Sequence, residues 1–168
     1  MNQTRFTLIE LLVVIAIVLL LAGLLLPALN MARNRAWSAR CRANLHSIAA
    51  GLRMYLDDAN DIMPEAAQLP SANLNENPAI ADVLAPHLGN NEVFRCPADN
   101  KGYFTSEGSS YEYNANLGGR RVDKTFLSRA LGIENVPVMY DYKAFHGEPG
   151  RPGAANYLFA DGHVGDME

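Results

Sequence analysis

Charge is missing from the opening segment of this chain. Residues 11–29 hold no Asp, Glu, Lys or Arg, and Arg5 is the only base before them. A run of that length excludes an ordinary amphipathic surface helix. Cysteine is nearly absent too. The two present, Cys41 and Cys96, fall short of a four-ligand zinc site unless histidines join. In an exported chain an even pair permits one disulfide; the alternative is two buried free thiols. The common catalytic signatures are also missing: no nucleophile elbow, phosphate loop, HExxH or paired-carboxylate motif occurs. There is no internal repeat and no recognisable nucleic-acid module, so no nucleic-acid partner is expected.

What is present is unevenly distributed. The 168 residues leave room for one modest domain plus an appendage. Net charge is −4, yet residues 30–56 carry five arginines and no acid, while residues 57–168 carry 17 acids and 8 bases. A basic stem and an acidic head suggest attraction between copies or to a charged partner, or simply a solvated helix face beside a soluble domain.

Residues 6–29 are long enough to cross a bilayer, which takes about 20 apolar residues. Pro27, without an N–H, is expected to kink a helix there. Beyond it Trp37, Cys41, Leu45, Ile48, Leu52 and Tyr55 recur at steps of three and four, one apolar stripe on a helix. The spacing predicts a single helix over about 6–56, roughly 75 Å long at 1.5 Å per residue. Loop follows to residue 78. A short helix is expected at 79–89, broken at Pro86, then an extended piece at 92–97, and a strand within 109–119. One or two helical turns at 124–133 precede a strand at 136–142. Two strands at 155–164 flank Asp161-Gly162, a dipeptide that suits a two-residue hairpin turn. The fold class is α+β: a long N-terminal helical spine packed on a small, loop-rich antiparallel sheet head. The organisation reads as a leader at 1–5, a membrane or filament-core helix at 6–29, an amphipathic stem at 30–56 and the head at 57–168.

Glu10 stands at the lip of the uncharged run. In a secretory signal peptide one expects a basic start, a shorter apolar core and a small-x-small cleavage site, which "PALNMA" does not offer. In a plain anchor the carboxylate has no purpose. A third reading accounts for it. "FTLIELLVVIAIV" resembles the N-terminus of type IV pilins and type II secretion pseudopilins. That resemblance implies cleavage between Arg5 and Phe6 by a prepilin peptidase and methylation of the new Phe6 amine. It also implies that Glu10 pairs with the N-terminal amine of a neighbouring subunit, and that Pro27 is the helix-kinking proline of the family. Arg5 stands where the family usually has glycine. The excess of arginine after the span runs against the general positive-inside bias; the specific motif is given precedence.

The head carries a second, weaker resemblance. "CRANLHSIAAGLRMYLDDAND", "FRCPAD" and "ANYLFADGHV" are similar to pilin-like chains with a C-terminal His…Asp-Gly signature, matched here by His146, Asp161 and Gly162. Asp141, His146, Asp161 and His163 lie near one another in sequence. Some pseudopilin heads bind calcium in C-terminal loops, which makes calcium the cofactor candidate and Asp99 and Asp161 its candidate ligands. A transition metal would draw on His146, Asp161 and His163. The plainer reading is a turn at Asp161-Gly162 with surface histidines. Altogether the resemblance implies a non-enzymatic subunit, single-pass in the inner membrane with its head periplasmic or extracellular. It would polymerise with itself or other pilins on an inner-membrane assembly platform, as a pilus or a pseudopilus. The alternative is a membrane-tethered, metal-dependent binding protein or enzyme.

Overall fold

The computed structural model describes residues 8–73 and 76–167. The chain divides into two compact units, Met1–Arg35 and Ala36–Glu168. Helix α1 spans Leu8–Asp58 with Pro27 inside it, two residues past the end expected from the stripe. Its first part is apolar all round, and the most apolar 18-residue window has no buried residue. This helix is long and apolar enough, by length and composition, to cross a membrane.

In the second unit the stripe becomes core. Cys41, Leu45, Ile48 and Leu52 are buried, and Trp37 and Tyr55 pack at its margin. Gly51 lies on the same face because Leu88 needs the room: a Cβ there would sit 2.6–2.7 Å from Leu88 Cδ2 and Cγ. Asn44 is the buried polar residue of the face. Its Nδ2 donates to the Arg95 carbonyl at 2.8 Å and to Tyr111 Oη at 3.2 Å, so its burial is matched by hydrogen bonds.

Among the described residues three short α-helices follow: α2 (Ile80–Leu84), α3 (Tyr103–Glu107) and α4 (Phe126–Leu131). The break after α2 falls at Pro86, which lies in a 3-10 turn over Ala85–His87. Residues 92–97 are not the extended piece expected. Asn91–Phe94 form a 3-10 turn because Asn90 Oδ1 accepts the Glu92 N–H at 2.8 Å; the chain becomes extended only at Arg95.

Among the described residues four antiparallel strands make one sheet in the order β1 (Tyr111–Tyr113), β2 (Pro137–Asp141), β3 (Tyr157–Phe159) and β4 (Val164–Gly165). Strand parity sorts the side chains. Tyr113, Met139 and Leu158 are register partners on the buried face, and Tyr111 is paired with Asp141 on that same face. Glu112, Tyr140 and Tyr157 share the other face. There Tyr140 Oη donates to Glu112 Oε1 at 3.0 Å and the Tyr140 and Tyr157 rings stack at 5.6 Å. The β3–β4 connection is longer than a two-residue turn. The Phe159 N–H reaches the His163 carbonyl and the Gly162 N–H reaches the Phe159 carbonyl. Gly162 adopts φ +92°, open to glycine, and Asp161 Oδ1 holds the His163 N–H.

Candidate functional site

Glu10 occupies the first turn of α1, exposed, with the large apolar residues from Leu11 to Leu29 exposed after it. A carboxylate in that turn is favoured by the helix dipole. Arg5 and Phe6 lie outside the described residues. Pro27 lies within α1.

The second unit contains a buried cluster. Cys41, from α1, and Cys96, just beyond the Asn91–Phe94 turn, are joined by a disulfide with Cα atoms 5.3 Å apart. The bridge packs against His146, whose Nε2 lies 3.6 Å from Cys96 Sγ and 3.4 Å from Asp141 Oδ2. Both side chains are sealed from solvent, at 1% and 0% exposure. Asp141 is there by strand parity, as the last residue of β2 on the core face. His146 is placed by the loop after β2, where its N–H donates to the Ala154 carbonyl at 3.1 Å.

A second layer holds Asp141. Asn156, fully buried, gives Oδ2 two donors, its backbone N–H at 2.7 Å and its Nδ2 at 3.0 Å. The Asn156 Oδ1 accepts from Arg42 Nε at 2.9 Å and Ser38 Oγ at 3.3 Å, and Arg42 Nη2 pairs with Asp166 at 2.9 Å. Beside the cluster, burial and, to a lesser degree, the Asp141 charge push the Tyr111 phenol up against the Asn44 donor. Asn156, Arg42 and Asp166 escaped sequence reading. The available signal was a polar residue, Asn156, at the edge of an otherwise apolar strand.

The signature residues separate. His146 contacts Asp141 and the bridge, whereas Asp161 pairs with His163 at 2.6 Å, with the His163 ring stacked on Phe159 at 4.4 Å between centroids. Asp99 and Asp161 line different clefts, one with Arg40 and Asn44, the other with Arg53 and Leu56. Asp99 is engaged by protein donors. Its Oδ1 accepts the N–H groups of Lys101, Gly102 and Tyr103, and its Oδ2 accepts the Phe104 N–H and Ser110 Oγ. Burial pushes its carboxyl up, but these donors together hold it below the ordinary carboxylate value. Asp161 shows the same balance, with burial opposed by the His163 donors and charge. Among the described residues, the group of three or more His, Cys, Asp or Glu able to converge on one ion is Cys41, Cys96, Asp141 and His146.

Compared with known proteins, the chain matches no family model and no solved structure. It is 42% identical over 78 residues to the type IV wide pilus major component PilA4 of Thermus thermophilus, a match covering 46% of this chain. The chain spans 60% of the length of that relative. This chain therefore has a curated homologue among the type IV pilins, and its long apolar N-terminal helix fits pilin architecture.

Proposed function

We propose that this chain is a structural, non-enzymatic subunit that inserts in the inner membrane and polymerises into a type IV pilus-like filament. The carrying observation is an apolar helix whose most apolar window has no buried residue among the described residues and which carries a carboxylate in its first turn. Apolar surface left in water is unfavourable by about 25 cal/mol per Å². A bilayer covers that surface first, and neighbouring helices cover it afterwards in a bundle. The relative named as a major pilus component supports the same assignment.

Glu10 supplies the register. Inside a low-dielectric bundle a carboxylate needs an opposite charge, and the amine exposed by cleavage before Phe6 provides one. Losing one partner of such a buried pair costs about 3–5 kcal/mol, or roughly 10²–10⁴ in an assembly equilibrium. Prepilin peptidase and the inner-membrane assembly platform are then the processing and assembly partners. The same construction serves a type II secretion pseudopilus.

The test is to co-express tagged Glu10→Gln with untagged wild type, shear the filaments and blot for the tag. The variant is expected to be expressed, inserted and folded normally yet missing from filaments. Equal incorporation would overturn the assembly role and leave α1 as a tether.

A further inference from the structure

A disulfide needs no ligands, yet this one is surrounded by them. One donor atom each from Cys41, Cys96, Asp141 and His146 lies within 4.8 Å of all the others. The imidazole and the carboxylate are buried, and Asp141 Oδ1 and His146 Nδ1 have no hydrogen-bond partner. Leaving buried polar atoms unpaired is unfavourable and rare. The Asp141 carboxylate beside the bridge thus keeps one oxygen that no donor uses.

Two of the six separations match those of a zinc tetrahedron. Zinc bonds of about 2.3 Å to sulfur, 2.0–2.1 Å to nitrogen and 2.0–2.2 Å to oxygen give edges of about 3.6 Å for sulfur–nitrogen and about 3.4 Å for nitrogen–oxygen. His146 Nε2 lies 3.6 Å from Cys96 Sγ and 3.4 Å from Asp141 Oδ2. Two of the edges are thus already in place. Zinc also requires the two sulfurs to part to about 3.8 Å, and the other three edges lie within 4.8 Å.

We propose that the dithiol form of this chain binds one zinc ion through Cys41, Cys96, His146 and Asp141. A dithiol reductant transfers two electrons and two protons to the bridge. The S–S bond breaks to two thiols, and the reductant becomes its own disulfide. Zinc then displaces the two thiol protons to solvent and bonds to both thiolates, to His146 Nε2 and to a carboxylate oxygen of Asp141. Two thiolates and an imidazole select zinc over calcium or magnesium, which take oxygen ligands. Asn156 and Arg42 form the outer layer that orients the carboxylate. Bridge and ion are thus alternative clips on the same side chains, tying α1 to residue 96 and the end of β2. The inference does not rest on the filament reading.

The experiment uses the full chain in detergent, reduced with a dithiol, transferred to a phosphine reductant and titrated with Co²⁺ as the spectroscopic probe. One equivalent is expected to bind. It should show thiolate-to-cobalt charge transfer and tetrahedral ligand-field bands, all removed by Zn²⁺ and absent from the oxidised chain. His146→Ala and Asp141→Asn should weaken binding at least as much as the about 10–100-fold loss seen when supporting groups are removed. His146→Cys, which keeps a ligand, should retain it. If the reduced chain loses its near-UV dichroism, zinc is expected to restore it. A folded, reduced chain without cobalt bands would overturn the proposal. So would an unfolded one that zinc does not restore, or ligand variants that bind like wild type.

Discussion

Asp99 accepts three hydrogen bonds on Oδ1 and two on Oδ2, mostly from the backbone that leads into α3. It gathers the orphan N–H groups of that short helix and ties them to Ser110, next to β1. The same logic holds at Glu107, whose carboxylate accepts the Ser71 N–H at 2.9 Å and Ser71 Oγ at 2.6 Å. At both sites burial raises the carboxyl pKa and the donors more than reverse it, so both lie below their ordinary values of 3.8 and 4.5. A folded pKa below the unfolded one contributes stability that is present above the unfolded value and lost as pH falls through the folded one. Urea midpoints of the full chain in detergent are expected to be level down to about pH 5 and to fall below about pH 4. Asp99→Ala should remove about 1–2 kcal/mol at neutral pH, as loss of a capping acceptor does, and flatten the acid slope. An unchanged slope in the variant would show that Asp99 is not among the groups responsible.

At the scale of elements, α1 serves two environments with one secondary structure. Leu45 is fully buried in the second unit, whereas Leu25 in the first is 67% exposed. Leu45→Ala is expected to destabilise the second unit by about 2–5 kcal/mol, and Leu25→Ala to leave its melting unchanged. Gly51→Val should cost about 1–3 kcal/mol by overpacking against Leu88. The disulfide acts between elements. Its sequence separation of 55 gives about 4 kcal/mol in the loop-entropy treatment. Reduction with a chelator present is expected to lower stability by about that much, measured by urea titration. Periodicity made α1 legible, because a step of three and four is a local signature that survives any packing partner. Local pattern did not reveal residues 91–94, where Asn90 Oδ1 accepts the Glu92 N–H and a 3-10 turn stands where an extended piece was expected.

At the scale of the whole molecule, the resemblance to pilins makes a statement about processing that mass alone can check. If the chain is handled as a prepilin, protein extracted from membranes should begin at Phe6, with the mass of a methylated amine. A chain beginning at Met1 or Asn2, in cells with an active peptidase, would show that Arg5 blocks the cut. A start near residues 29–35 would identify an ordinary signal peptide instead.

Some of this protein was determined by sequence alone, because the relevant physics is local. Uncharged length, the position of Glu10 and the helical stripe need no tertiary partner to be read. The α+β class followed from the same patterning. The site in the second unit was another matter. Cys41, Cys96, Asp141 and His146 are spread over 106 positions of chain, and proximity in sequence grouped Asp141 and His146 with Asp161 and His163 but not with the two cysteines. Only the fold decided the grouping, through the parity of β2 that turns Asp141 inward, the loop that returns His146 to the bridge, and Asn156, which holds the carboxylate from β3's edge. Those placements depend on which face of a strand meets the core and on where a long loop is pinned. Both are set by contacts between residues far apart in the chain, and no local pattern encodes them.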